Sequence, residues 1–308
     1  MRLSFRIFGY VAACCLLIVH VSEADAASRN ALRRGLEAMS RQTAEASLRF
    51  LASDVMGGRL AGSLEGAITA QYIRSELEQM GYGASIREQR FTGRQGQSLC
   101  NILVTVPGKD TTRCIVVGAH FDHEGTKNGA VYHGADDNAS GTVVLLELAR
   151  AAQAAGVQPQ QSVVFAFWDG EERGLWGSRH YVKTLGRDTS AVAYYINFDM
   201  VGRNTDESRP GLFRYFYTAS QPHLRTWYEE SLRACGLTLL EADYRPSDRT
   251  LGGSDNISFG RNGIPIVWFH TDGHPDYNTP NDTADKINYP KLMEIARSSW
   301  YLIWRMAY

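Results

Sequence analysis

Apolar and polar positions follow two periods along this chain. A continuous apolar run at residues 114–119 predicts a strand covered on both faces, one at 163–168 a buried strand, and 191–198 and 264–269 further strands. Residues 85–91, 101–106 and 213–218 predict further strands, and 237–241 a short one. Helical spacing runs through 28–56, 64–80, 175–185, 222–235 and 290–306, and 142–155 is apolar all round, as a buried helix is. A short helix is expected at 255–260, and loops at 126–138, 244–254 and 270–285. Strands and helices alternate without repeat or linker, which argues for the α/β class. The first strands are joined without helices, so the expected architecture is a mixed, mostly parallel central sheet sandwiched by helices.

In an open α/β sheet, ligands bind beyond the carboxyl ends of the strands. Those ends carry His120 with Asp122, the pair Glu171-Glu172, Asp199, and the loop from His270 to Asp282. Asp136-Asp137-Asn138 lies in the loop after His120. Any one of these alone reads as a capped or solvated strand end. Gathered on one rim they would accumulate unpaired negative charge, and a cation resolves that. Imidazole with carboxylates suits Zn²⁺, with Mn²⁺ or Co²⁺ as alternatives. So many carboxylates also suit two ions roughly 3.5–4 Å apart that share one Asp. One glutamate of an adjacent pair can bind metal while its neighbour accepts a proton from water, a role contributing about 10²–10⁴-fold.

The composition is that of an ordinary globular chain, 44% hydrophobic and 21% charged over 308 residues. A formal net charge of -1 leaves no nucleic-acid footprint. Arg2 and Arg6 precede an apolar run at 7–21 and small residues at Ala24 and Ala26. This reads as a secretory leader over 1–26, followed by one catalytic domain over 27–308. The run is short for a membrane span, so no stable insertion is expected after cleavage, and the protein is expected to be secreted or periplasmic. Cys100, Cys114 and Cys235 remain beyond the leader, and no Cys-x-x-Cys motif occurs. The sequence does not choose a disulfide among the three. No Gly-x-Ser-x-Gly elbow is present for a serine hydrolase.

Five segments and a tail together resemble the secreted di-zinc aminopeptidases of the bacterial leucyl aminopeptidase type, whose wider family includes glutamate carboxypeptidase II and the glutaminyl cyclases. The segments are Gly118-Ala119-His120-Phe121-Asp122, the stretch from Gly134 through Asp137 to Gly141, that from Phe167 through Glu171-Glu172 to Ser178, Asn197-Phe198-Asp199-Met200, and Gly253-Ser254-Asp255. The tail runs from Tyr277 to Thr283, and the resemblance covers about residues 50–308.

The resemblance implies a zinc exopeptidase-like fold and a set of roles. His120 and Asp199 bind one zinc, Glu172 the other, and Asp137 bridges both. Glu171 is the general base, Asp122 orients His120, Asp255 sits near the reacting group, and a cis peptide comes after Asp137. A peptide or small aminoacyl compound is the implied substrate. The family usually has His where this chain has Asn278, and often His at Asn256. Three outcomes stay open: Asn278 binds weakly, His274 swings in, or the second site is partly filled or empty. One or two zinc ions are therefore expected. The alternatives to an aminopeptidase are a binding protein of weakened catalysis and a glutaminyl-cyclase-like enzyme.

Overall fold

The computed structural model describes residues 26–186, 188–249 and 252–308. The expected leader falls, save for its last residue, outside the described residues. Among the described residues no helix is long and apolar enough to cross a membrane.

An eight-stranded sheet organises the molecule. Its strands are β1 (Ile86–Thr92), β2 (Ser98–Val106), β3 (Asp110–His120), β6 (Gln161–Trp168), β7 (Val192–Phe198), β8 (Leu212–Tyr217), β9 (Glu241–Pro246) and β10 (Ile266–His270). Across the sheet they stand in the order β1-β2-β6-β3-β7-β10-β8-β9. A separate two-stranded ribbon, β4 (Thr126–Lys127) with β5 (Ala130–Val131), lies in the loop after β3. The central strands β6, β3, β7 and β10 run parallel. The β1–β2 and β2–β6 pairs are antiparallel, as is β10–β8, while β9 runs parallel to β8. The mixed sheet expected from the helix-free links between the first strands is therefore present.

The central strands are apolar throughout because both faces are covered. Ile115, Val117, Val163, Phe165, Ile196, Phe198, Val267 and Phe269 point into one layer. Residues of α2 (Arg41–Leu51), α3 (Leu64–Gln79), α4 (Gly141–Ala155), α6 (His223–Ala234) and α8 (Tyr289–Ala307) fill it, and helix α1, residues 26–38, packs alongside. Val116, Val164, Trp168, Tyr195 and Trp268 point the other way. There they meet Tyr181 and Val182 of α5 (Trp176–Thr184) and Phe259 of α7 (Asn256–Gly260). The period of two along each strand sends alternate residues to opposite layers.

On that second face Tyr195 stacks on Phe259, ring centroids 3.6 Å apart, and accepts from the Trp168 indole at 2.9 Å. Tyr195 donates to Asn197 Oδ1 at 2.6 Å, and Asn197 donates to Ser254 Oγ at 2.8 Å. The crowding requires Gly118, since a Cβ there would lie 2.4 Å from the Trp168 indole nitrogen.

Two expectations shift. The short strand predicted at 237–241 lies instead at Glu241–Pro246, starting at the last residue of the predicted strand and running into the stretch predicted as loop from 244. It is an edge strand with no fully buried residue, so its pattern carries little burial signal. The loop at 126–138 contains the β4–β5 ribbon and the start of a tight turn. Cys100, Cys114 and Cys235 are free thiols, and burial pushes each up to about 11.

Candidate metal centre

The four parallel central strands end on one rim of the sheet, and each brings a polar group there. β3 ends in His120 and β10 in His270, while Asp199 comes directly after β7. After β6 the chain turns at Gly170, at φ 79°, and presents Glu171 and Glu172. That left-handed turn favours glycine.

Asp137 reaches the rim on a buried, kinked turn, Ala135–Ser140, ahead of α4. The Asp137–Asn138 peptide is cis, as the resemblance implies. Asp282 Oδ2 accepts the N–H of Asp136 at 2.9 Å and of Asp137 at 3.1 Å. Asn138 donates to the Phe198 carbonyl at 2.9 Å and accepts from Met200 N–H at 3.2 Å. The turn is thereby fastened to the end of β7, beside Asp199.

Two groups of possible metal ligands result, His120 with Asp137 and Asp199, and His123 with Asp137 and Glu172. In the first, His120 Nε2 lies 3.4 Å from Asp137 Oδ1 and 3.5 Å from Asp199 Oδ2. Zinc bonds of about 2.0–2.1 Å at tetrahedral angles set their donors about 3.3–3.4 Å apart, so the spacing fits the ion. His120 Nε2 is buried without a hydrogen-bond partner. Its Nδ1 sits 3.2 Å from the Asp122 carbonyl oxygen, which can only accept. That contact puts the ring proton on Nδ1 and leaves Nε2 as the ligand atom.

In the second group, His123 Nδ1 lies 2.9 Å from Glu172 Oε1 and 3.7 Å from Asp137 Oδ2. Sequence reasoning missed His123. Its one signal was an imidazole in the same short loop as His120, within His120-Phe121-Asp122-His123. Neither residue expected to stand in for the family's usual histidine belongs to these two groups. Asn278 is exposed, in a left-handed conformation at φ 54°. His274 is buried with Nε2 3.4 Å from Asp136 Oδ2, beside the aspartate that precedes Asp137.

The charges report a shortage of cation. Burial pushes Asp137 up to about 6, aided by the Glu172 charge, and pushes Glu172 and Asp255 up to about 7. Glu171 is raised well above the usual carboxylate range by burial, against the pull of His120. Burial would lower His120, yet the charges of Asp199 and Glu171 hold it well above its ordinary value. Asp199 is lowered despite its burial, because His120 and the Ser254 hydroxyl favour its anion. Carboxyls driven toward the neutral form around a buried imidazole fit a bound divalent cation.

Two supports surround this centre. Asp122 accepts the backbone N–H of Glu171 at 2.9 Å and of Glu172 at 3.3 Å, and its Oδ1 is 3.6 Å from His120 Nδ1. Arg59 is wholly buried and spends its guanidinium on main-chain oxygens, at 2.9 Å from Phe121, 2.7 Å from Leu51, 2.6 Å from His133 and 2.8 Å from Gly134. It braces the loops that carry His123 and Asp137. It sits in the glycine-rich stretch Gly57-Gly58-Arg59-Leu60-Ala61-Gly62. Asp137, Glu171, Glu172 and Asp199 open onto a cleft of about 390 Å³. Its side walls include Met200, Tyr277 and the stacked rings of Phe216, Trp268 and His270.

Relatives of known kind share this arrangement of chain. Leupeptin-inactivating enzyme 1 of Streptomyces exfoliatus is 29% identical over 221 residues, covering 71% of this chain and 46% of that protein. The chain spans about half the length of the curated relatives it matches. The LapA aminopeptidase of Legionella pneumophila superposes with a TM-score of 0.74 at 22% identity, over 89% of this chain and 72% of that one. An Acidobacteriales bacterium glutaminyl cyclase gives 0.69 at 21% identity, over 87% and 94%. At such identities these two structures show a shared fold. Residues 101–303, from β2 into α8, match peptidase family M28, and to that family the chain belongs.

Proposed function

We propose that this M28 peptidase is an exported, zinc-dependent aminopeptidase that removes amino-terminal residues from peptides. The observation that carries this reading is the trio of His120 Nε2, Asp137 Oδ1 and Asp199 Oδ2 at 3.4 and 3.5 Å, beneath a raised Glu171. His120, Asp137 and Asp199 would hold a zinc ion, which supplies Lewis acidity toward water and the scissile carbonyl.

Glu171 then takes the proton of the attacking water and returns it to the departing amine. A carboxylate can take that proton and, once protonated, give it up, so the one side chain serves both halves of the cycle. Asp122 keeps the glutamate pair in register through their backbone N–H groups. The acidic floor of the cleft favours a substrate that brings a free ammonium group. Phe216 and Trp268 give it an apolar wall for the first side chain.

Residues 27–308 would form one catalytic domain, delivered outside the cytoplasm by the leader. Assay of purified mature protein on aminoacyl anilides and on glutaminyl peptides tests this. Release of the amino-terminal residue, abolished by a chelator and restored by zinc, is expected. Pyroglutamate formation without such release would make it a cyclase, and neither reaction would leave a binding protein.

A further inference from the structure

We infer that His123 is the imidazole ligand of a second metal position, which it completes with Asp137 and Glu172 in a chain that has Asn278 where its family usually has histidine. The inference rests on the proposed zinc-binding role of His120, Asp137 and Asp199, and adds a ligand to it.

Asp137 turns Oδ1 toward His120 at 3.4 Å and Oδ2 toward His123 at 3.7 Å. One carboxylate thus divides its two oxygens between two imidazoles, an arrangement suited to a group shared by two ions. Glu172 Oε1 stands 2.9 Å from the same His123 nitrogen. The separations of 2.9 and 3.7 Å bracket the roughly 3.3–3.4 Å between donors of a tetrahedral zinc. The three ligand atoms lie within 4.8 Å of one another, as those of the first group do.

The ring is also held where it is. His123 is completely buried, and its backbone N–H donates to the Arg59 carbonyl at 3.2 Å. Its Cγ and Cδ2 lie so near Gly134 that a Cβ at that glycine would approach them to 2.5 Å. A histidine fixed this way against two carboxylates has either of two uses. It coordinates a metal, or it donates from Nδ1 to Glu172 and merely orients that carboxylate.

Zinc content separates them. Full-length mature protein and its variants are loaded with zinc, dialysed and analysed for metal per chain. Two ions are expected for the unaltered protein, for Asn278→Ala and for His274→Ala. His123→Ala and His123→Gln are expected to keep one. Glutamine can still donate to Glu172, so a merely orienting His123 would leave His123→Gln with two ions and overturn the inference. An unaltered protein that holds a single ion overturns it while leaving the zinc enzyme intact. No ion at all removes both. Circular dichroism confirms folding of each variant. Should both His123 variants unfold, zinc-edge X-ray absorption on the unaltered protein decides: two imidazoles over two ions are expected, and one overturns the inference.

Discussion

The carboxylate of Asp122 accepts the backbone N–H of Glu171 at 2.9 Å, and so fixes the segment that carries the proposed base rather than the base itself. The same carboxylate lies 3.6 Å from His120 Nδ1, which links the ends of β3 and β6 through one buried side chain. Asp122→Ala should therefore lower kcat by about 10–100-fold, the usual cost of losing a supporting group behind a metal site. The ligands themselves are untouched, so zinc bound by His120, Asp137 and Asp199 should persist. Paired kinetics and metal analysis check this. Loss of the ion with the activity would instead make Asp122 essential to the ligand geometry.

Glu171→Gln keeps shape and hydrogen-bonding reach but cannot take a proton. The expected outcome is a fall in kcat of about 10²–10⁴-fold with metal content and melting temperature near those of the unaltered protein. Activity close to normal would remove Glu171 from the proton's path.

Acidity and metal are linked. In the metal-free protein burial pushes Asp137 up to about 6, and Glu172 and Asp255 up to about 7, against about 4 in an unfolded chain. A carboxyl raised on folding binds its proton better in the folded state. Its stabilising contribution is complete below about pH 4 and is lost as pH climbs through about 6 and 7. His120, raised well above its ordinary value, loses its contribution in the same direction, while His123, lowered by burial, works the opposite way below about 6.5 and is outnumbered by the raised groups. Asp199 is lowered, so its contribution is already complete above about pH 4 and does not change in this window. Metal-free protein should thus melt at a lower temperature at about pH 8 than at about pH 5. Saturating zinc should raise the melting temperature more at about pH 8, where its ligands are already deprotonated. Calorimetry of both forms at both pH values measures this, and a metal-free protein more stable at the higher pH would contradict it.

Arg59→Ala would leave the carbonyls of Phe121, Leu51, His133 and Gly134 buried without their donor. Each orphaned group costs about 1–3 kcal/mol, so a loss of about 3 kcal/mol or more is expected in urea unfolding. Lysine should not rescue it, because a single ammonium cannot reproduce the planar fork that reaches four oxygens. A variant within about 1 kcal/mol of the unaltered protein would show that water can take the guanidinium's place.

The centre of the sheet was legible from sequence because burial there is two-sided. Runs such as 163–168, rich in β-favouring residues and ending shortly before a glycine, read as inner strands, and the residues just beyond them emerge at one rim. His120, Asp137, Glu171, Glu172 and Asp199, which the structure brings to one rim, were singled out by that logic together with their motifs. His123 was not, because its meeting with Glu172 depends on the path of the loop after β3. That path is set by Arg59 and Gly134, distant in sequence or beyond the loop's own period, and no local pattern encodes it. Arg59 escaped for a related reason, since a cation satisfied wholly by main-chain oxygens leaves no charged partner to look for. Strand β9 was misplaced by a few residues because an edge strand facing water lacks the alternation that burial imposes.

Asp282 grips the amides of Asp136 and Asp137 from 146 and 145 residues further along the chain. On a ribosome Asp137 is made long before the residue that aligns it. A nascent chain can lay down β3, β6 and β7 and still lack the contact that aligns Asp137, so the candidate centre is assembled only once Asp282 has been made.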